Sequence, residues 1–157
     1  MGSSGLAGCG GLIKDENGAW LAGFSRNIWS TTSYAAELWG IRDGLALCCN
    51  LNIRSIIVKL DAKSIVDVFG NPNCEGNIIS PILDDCKQLM MKFQPIQFKH
   101  RYWEANSCAD MLAKVGLDQS SCLVHFDCPP KIIRTILDED CNGFFVHRIC
   151  SVLDVVS

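Results

Sequence analysis

The chain has 157 residues, of which 48% are hydrophobic and 20% are charged, and its formal net charge is −3. This length and composition indicate one folded domain with a substantial core, and they exclude a disordered or low-complexity chain. No segment reaches the roughly 20 apolar residues that a membrane span needs, and the first residues lack the pattern of a secretory leader. We therefore expect an intracellular protein of the cytosol or nucleus that is not secreted.

The first third of the chain predicts a hairpin followed by a helix. Two short apolar runs flank the residues Asp-Glu-Asn-Gly at 15–18, and Asn-Gly is typical of a tight turn with positive φ. Four apolar residues recur on one helical face between Ser33 and about residue 49. These are Leu38, Ile41, Leu45 and Cys48.

The middle of the chain predicts a buried strand and two helices. The apolar run at 56–60 ends directly before Asp61, and KSIVDVFG at 63–70 then favours a short helix stopped by Gly70. The clearest helix begins with Ser80 as its cap and Pro81 in its first turn. Its apolar stripe consists of Ile82, Leu83, Cys86, Leu89, Met90 and Phe93.

The last third predicts a strand, a helix and a tail. Residues 96–103 alternate as a half-buried strand does, and a helix follows from about Asn106. The tail contains a short helix at 131–137 and a β-prone stretch at 143–156.

The ten cysteines are better interpreted as small hydrophobes in a reducing compartment than as disulfides, because the chain is not short, secreted or loop-rich. The element order predicts a mixed α/β sheet with helices packed on it.

Three carboxylates occupy comparable positions in these predicted elements. Glu37 lies in the first turn of the first helix, Asp61 at the carboxyl end of a strand, and Asp110 in the first turn of the helix after Asn106. Each has an ordinary explanation, since acids favour helix N-termini and cap turns. Together they predict a Mg²⁺ site, because Mg²⁺ prefers carboxylate oxygens and converging acids repel one another without a cation.

The segments around these acids resemble a known family. SYAAELWGIRDGL from Ser33, IIVKLDAKSIVD from Ile56 and KHRYWEANSCADMLAK from Lys99 resemble the acid-bearing segments of the ribonuclease H fold. The resemblance is closest to the retroelement-derived RNase H-like domains of plants, and it includes segment order and spacing. We therefore expect an α/β RNase H-like domain at 1–116 and a family-typical tail at 117–157.

The resemblance implies an activity and assigns roles to residues. It implies that the domain hydrolyses the RNA strand of an RNA/DNA hybrid with two Mg²⁺ ions, with Mn²⁺ as an alternative. Glu37, Asp61 and Asp110 match the family's second, third and fourth acids, which are metal ligands and catalytic groups. His100 matches a mobile-loop histidine of the family that assists proton transfer or product release, and it has an equal claim to be an ordinary strand-end residue.

Candidate nucleic-acid contacts lie beside the third of these segments. Because the chain is not basic overall, binding would depend on a local patch. Lys99 and Arg101 form such a patch, and contacts of this kind hold phosphates without reading bases. Both side chains also suit a solvated strand edge. Asn106 is a further candidate contact, although it suits a helix N-cap better.

The chain departs from the family at its first strand. That strand ordinarily ends in an Asp, and Met1 stands where this Asp is expected. We therefore expect the first strand to be largely missing. Its absence would leave unpaired backbone groups in the middle of the sheet, and each such group would destabilise the fold by about 1 to 3 kcal/mol. One hypothesis is that RICSVLDVV, residues 148–156, fills this gap and brings Asp154 near the site.

Three interpretations of function follow from the sequence. The first is an RNase H-type nuclease domain whose cleavage by this chain is weak or absent, because the first acid is not there. The second is a non-catalytic module that binds nucleic acid or a protein. The third is a decayed retroelement relic, which would be poorly soluble and would bind neither ligand.

Overall fold

The structure is a computed structural model, and it describes residues 6–29, 33–60, 79–100, 107–134 and 151–156. Six strands and three helices are seen within these ranges. In chain order they are β1 (Leu6–Lys14), β2 (Trp20–Trp29), α1 (Ser33–Asn50), β3 (Ile56–Leu60), α2 (Ile79–Met90), β4 (Ile96–His100), α3 (Ser107–Asp118), β5 (Leu123–Phe126) and β6 (Ser151–Val156).

The strands form one mixed sheet with the order β4-β3-β6-β1-β2-β5. β1 is antiparallel to both β2 and β6, whereas β3 is parallel to both β4 and β6. The predicted mixed α/β architecture is thus confirmed. Within the described residues, no helix is long and apolar enough to span a membrane.

The predicted hairpin joins β1 to β2. Gly18 has a φ of +81°, which is the left-handed conformation that glycine adopts without strain. The Asp15 carboxylate accepts hydrogen bonds from the backbone N–H groups of Asn17 and Ala19, both at 2.9 Å. The local sequence therefore fixes this turn, and through it the pairing of β1 with β2.

Helices cover both faces of the sheet. On one face, α1 and α2 pack over a core that includes Phe24 of β2 and Val58 of β3, both fully buried. On the other face, α3 packs over Leu12 of β1. The predicted apolar faces of the helices are confirmed where the structure describes their side chains, since Leu38, Ile41, Leu45, Cys48, Ile82, Leu83, Cys86, Ala109, Leu112 and Ala113 are buried.

β6 lies in the middle of the sheet. Its five-residue register with β1 runs from Gly10 opposite Val156 to Lys14 opposite Val152. Its register with β3 starts where Ile56 pairs with Ser151. The hypothesis that the tail supplies a central strand is therefore confirmed for residues 151–156. β5 also comes from the tail and pairs with β2 at the edge, so the boundary at residue 117 stays a prediction.

Some helix boundaries differ from the sequence predictions. α2 begins at Ile79, one residue before Ser80, so the prediction that Ser80 caps this helix from outside is wrong. α1 begins at Ser33 and has no acid in its first turn, which makes Glu37 its fifth residue instead of a first-turn acid. The predicted helix at 63–70 and the end of the predicted helix at 131–137 lie outside the described residues. Residues 131–134 form one helical turn.

Candidate metal and nucleic-acid site

The ends of three neighbouring strands meet at one end of the sheet. β3 and β4 are parallel and end together, because Leu60 is the Cα partner of His100. β6 is parallel to β3 and places Val155 beside Leu60. The first residue after β3 is Asp61, which lies outside the described residues. We call this end of the sheet the acid end.

The start of α1 belongs to the same end. Val156 of β6 is paired with Gly10, so the acid end corresponds to the N-terminal half of β1. β2 is antiparallel to β1 and ends at Trp29, which is the partner of Leu6. Because α1 begins only four residues after Trp29, its first turns lie close to the acid end.

The middle of α3 packs against the N-terminal half of β1 on the opposite face of the sheet. Its first residues pack near Leu12, and the backbone of Leu12 is the register neighbour of Asp154. Two glycines of β1 allow a close approach: a Cβ on Gly10 would lie 2.5 Å from the backbone N of Ala113, and a Cβ on Gly8 would lie 2.4 Å from the Ala113 carbonyl oxygen. Any larger residue at these positions would push α3 and Asp110 away.

Of the predicted site residues, His100 lies at the acid end, and Glu37 and Asp110 lie on the helices that cover the two faces of the sheet. Glu37 is the fifth residue of α1 and is flanked by buried Ala36 and Leu38. Asp110 is the fourth residue of α3 and follows buried Ala109. The packed neighbours fix both positions in the helix backbone. His100 is the last residue of β4.

The remaining predicted contacts are only partly described. Lys99 is exposed on β4, which is an edge strand. Arg101 and Asn106 lie outside the described residues. Where side chains are described, no group of three or more His, Cys, Asp or Glu residues could hold a metal ion. The side chains of Glu37, Asp61 and Asp110 do not belong to that set, and three carboxylates are oxygen donors of the kind that Mg²⁺ prefers.

A buried ion pair fixes α1 on the sheet. Arg26 of β2 donates two hydrogen bonds to the carboxylate of Asp43, from Nε to Oδ2 and from Nη2 to Oδ1 at 3.0 Å. The Asp43 side chain is 2% exposed and that of Arg26 is 15% exposed. This bidentate geometry is the strong form of an arginine–carboxylate contact. It holds α1 six residues after Glu37.

Trp39 and Arg42 extend this pair into a cluster. The guanidinium carbon of Arg26 lies 4.5 Å from the centroid of the Trp39 ring, and that of Arg42 lies 5.2 Å from it. Arg42 also reaches Asp43 at 3.4 Å and exposed Asp85 of α2 at 3.2 Å. This cluster could not be predicted from the sequence, because its members come from three elements and share no local pattern.

The pKa values of the pair reflect burial opposed by mutual attraction. Burial raises the pKa of the Asp43 carboxyl, against the hydrogen bond and charge of Arg26. Burial alone would lower the pKa of the Arg26 guanidinium, because it disfavours the charged form. The hydrogen bond and the charge of Asp43 outweigh this effect, so the pKa of the guanidinium is raised. Arginine stays charged at all ordinary pH values. Asp43 therefore supplies the counter-charge without which Arg26 would be a poorly solvated cation.

Comparison with solved structures identifies the fold. RNase H1 of the archaeon Halobacterium salinarum is 20% identical with a TM-score of 0.68, and the match covers 75% of this chain and 90% of that chain. The N-terminal RNase H domain of a Mycobacterium tuberculosis protein is 24% identical with a TM-score of 0.68, covering 75% and 86%. An RNase H1 solved in complex with an RNA/DNA hybrid is 25% identical with a TM-score of 0.67, covering 75% and 90%. The fold is therefore that of the RNase H-like proteins.

Sequence comparison then gives the family. A putative ribonuclease H protein of Arabidopsis thaliana is 32% identical over 142 residues, which are 90% of this chain and 23% of that protein. The chain thus spans about a quarter of the length of this relative. The family model described as reverse transcriptase-like matches residues 2–116. The chain belongs to this family and is an RNase H-like domain, as its acid-bearing segments predicted.

Proposed function

We propose that this domain binds RNA/DNA hybrids as an RNase H-type domain, with Mg²⁺ held by Glu37, Asp61 and Asp110, and that its hydrolysis of the RNA strand is weak or absent. The observation that supports the proposal is the arrangement of the elements that carry these acids. α1 lies on one face of the sheet, α3 lies on the other, and β3 ends between them. Ions at such a site supply an activated water and stabilise charge on the leaving oxygen.

The chain's own residues have separate roles in this proposal. The buried residues beside Glu37 and Asp110 hold these positions in place, which limits the entropy lost when a ligand is bound. His100 ends β4 beside β3, where its imidazole would accept or return a proton near the scissile phosphate. Lys99, Arg101 and Asn106 would hold the backbone of the hybrid, and phosphate contacts of this kind are independent of sequence.

The substrate class, origin and location belong to the same proposal. One solved relative was crystallised with an RNA/DNA hybrid, which supports a hybrid as the ligand. We assign a retroelement-derived plant origin from the segments around the three acids. An intracellular location, in the cytosol or nucleus, is supported by the seven described cysteines, all of which are free thiols.

The deciding experiment measures binding and turnover separately. A hybrid with a labelled RNA strand is incubated with the chain in Mg²⁺, in Mn²⁺ and in chelator, and Mg²⁺ binding is followed by calorimetry. We expect Asp61→Asn and Asp110→Asn to abolish Mg²⁺ binding and any metal-dependent cleavage. Asp84→Asn changes an exposed acid of α2 and should alter neither.

Each outcome selects between the interpretations of the sequence. Cleavage that is lost in Asp61→Asn would establish the nuclease. Hybrid binding without turnover, weakening steeply with salt, would instead establish a non-catalytic module. In either case Lys99→Ala should lower the affinity for the hybrid. It should also reduce the number of counterions released on binding, measured from the dependence of affinity on salt concentration, by about one. Retention of Mg²⁺ binding by both Asn variants would refute the proposed metal site.

A further inference from the structure

The place of β6 in the sheet defines a slot with two walls. One wall is the segment Gly10–Lys14 of β1, and the other is Ile56–Leu60 of β3. β6 is antiparallel to the first wall and parallel to the second. We call this slot the β6 seat. An extended segment in it is hydrogen-bonded along both of its edges, which is the mode of recognition known as strand addition.

The walls of the seat have partners of their own. β1 is paired with β2 along its whole length, and β3 is paired with β4. Cys9 and Ile13 of β1 share one buried core with Ile56 and Val58 of β3, beneath α1 and α2. The two walls are thus held on a common core that contains many residues outside β6, so the seat is a feature of the described parts of β1 to β4, α1 and α2.

One charged residue of β6 has an oppositely charged register partner. Asp154 is the only charged residue of SVLDVV. On the β1 side its Cα partner is buried Leu12, which offers no compensating charge. On the β3 side its Cα partner is half-buried Lys59. In this register the backbone position of Asp154 is paired with an oppositely charged residue, whereas a slip by one residue would pair it with Val58 or Leu60.

Lys99 strengthens the need for an acid at this position. It is the Cα partner of Lys59 on the other side of β3. Like charges at paired positions destabilise neighbouring strands, and an intervening opposite charge relieves part of that repulsion. In this register Asp154 extends the row of Lys99 and Lys59 with the opposite sign. The charge pattern therefore favours this register of β6.

The connection to β6 is long enough to reach another molecule. Residues 135–150 separate β6 from the last described residue before it. A chain of this length spans up to roughly 55 Å. A compact domain of this size has a radius of gyration of about 15 Å, so the seat of an adjoining copy lies within reach.

We propose that the β6 seat binds residues 151–156 of a second copy of this chain as well as its own, so that two copies exchange β6 reciprocally. Lys59 and Asp154 set the register in both arrangements. The contacts made by β6 are the same in the exchanged dimer and in the monomer. Because a tethered segment has an effective concentration in the millimolar range, the monomer dominates at micromolar concentration. Weakening the contact within one molecule should therefore reveal the exchange.

Two charge reversals provide the test. Lys59→Glu places like charges together in its own seat, and Asp154→Lys does the same with the opposite sign. In an exchanged heterodimer of the two variants, the seat of the Lys59→Glu chain receives β6 of the Asp154→Lys chain, so the two introduced charges have opposite signs. The seat of the Asp154→Lys chain receives β6 of the other chain, which restores the native pairing of Lys59 with Asp154. We expect a 1:1 mixture, refolded together from urea at about 50 μM, to form a heterodimer at least tenfold more abundant than either homodimer. Native mass spectrometry and light scattering measure this ratio.

Three controls isolate the seat. The double variant Lys59→Glu/Asp154→Lys restores opposite charges within one molecule and should be a folded monomer. The pair Lys92→Glu and Asp84→Lys makes the same charge changes at exposed positions outside the seat and should remain monomeric. Adding Leu153→Pro to both partners removes a backbone donor from each β6 and should abolish the heterodimer.

The result can also overturn the proposal. If the co-refolded mixture contains only monomers, or only unfolded and aggregated chains while the double variant folds, the seat does not accept a strand from another copy. If the double variant is less stable than both single variants, Lys59 and Asp154 are not register neighbours, and the basis for the exchange is lost. Persistence of the heterodimer with Leu153→Pro would assign it to another surface.

Discussion

Replacing Asp43 by Asn should destabilise the domain far more than its position on a helix suggests. The substitution keeps the volume of the side chain but removes the negative charge that faces Arg26 and Arg42. Breaking a buried pair by removing one partner typically costs about 3 to 5 kcal/mol. Arg26 is 15% exposed and retains its contact with Trp39, so part of its charge can reach water. We therefore expect a loss near the lower limit, about 3 kcal/mol.

Urea denaturation measures this loss directly. With an m-value of about 2 kcal/mol per molar, a loss of about 3 kcal/mol lowers the midpoint by roughly 1.5 M. Asp85→Asn is the matched control, because Asp85 also contacts Arg42 but is 53% exposed. Exposed pairs contribute about 0 to 1 kcal/mol, so its midpoint should move by less than about 0.5 M.

A double-mutant cycle separates the pair from other effects. Arg26→Met keeps part of the apolar stem, and in this background Asp43→Asn should cost much less than in the wild type, because no buried cation remains to be stranded. The reasoning is refuted if Asp43→Asn and Asp85→Asn have similar effects, or if the cost of Asp43→Asn is the same with and without Arg26.

Three further predictions concern packing, thiol reactivity and β5. Gly10→Ala should lower the free energy of unfolding by about 1 to 3 kcal/mol through overpacking, and it should weaken metal binding because the added Cβ displaces α3. Asp118→Ala, at the exposed end of α3, should have neither effect. An unchanged melting temperature in Gly10→Ala would contradict this packing. Burial raises the pKa of the Cys48 thiol to about 12. Alkylation at about pH 8, mapped by mass spectrometry, should therefore modify exposed Cys122 and spare Cys48 until the chain unfolds. Equal labelling of the two thiols in the folded chain would contradict this. Gln119→Ala removes side-chain hydrogen bonds that join β2 to the segment before β5. It should lower the free energy of unfolding, measured by urea denaturation, by about 2 kcal/mol. A loss below about 0.5 kcal/mol would show that water replaces these hydrogen bonds.

The local elements of this fold could be predicted from the sequence, because their signals lie within a few residues. The apolar stripe of α2 and the turn at Gly18 are examples, and both are confirmed. β5 was missed because four residues at the sheet edge carry little periodicity. The central place of β6 was only one hypothesis, since strand pairing over such a distance leaves no local trace.

The candidate site was predicted to a different extent. The order of the acid-bearing segments sufficed to recognise the family, whereas the meeting of Glu37, Asp61 and Asp110 at one site stays a prediction. What no pattern indicated was how these elements are held there. The Arg26–Asp43 pair joins residues on a strand and a helix, and the close approach of α3 depends on the backbone of Gly10. Such contacts follow from tertiary structure and are invisible to periodicity.

The central place of β6 has a consequence for how the chain folds. Val156 pairs with Gly10, so two neighbours in the middle of the sheet are separated by almost the whole chain. Contacts of this kind raise the contact order and slow folding. Until β6 arrives, β1 and β3 each expose an unpaired edge of the kind that recruits other chains into aggregates. The domain should therefore be most prone to aggregation before residues 151–156 have docked between β1 and β3.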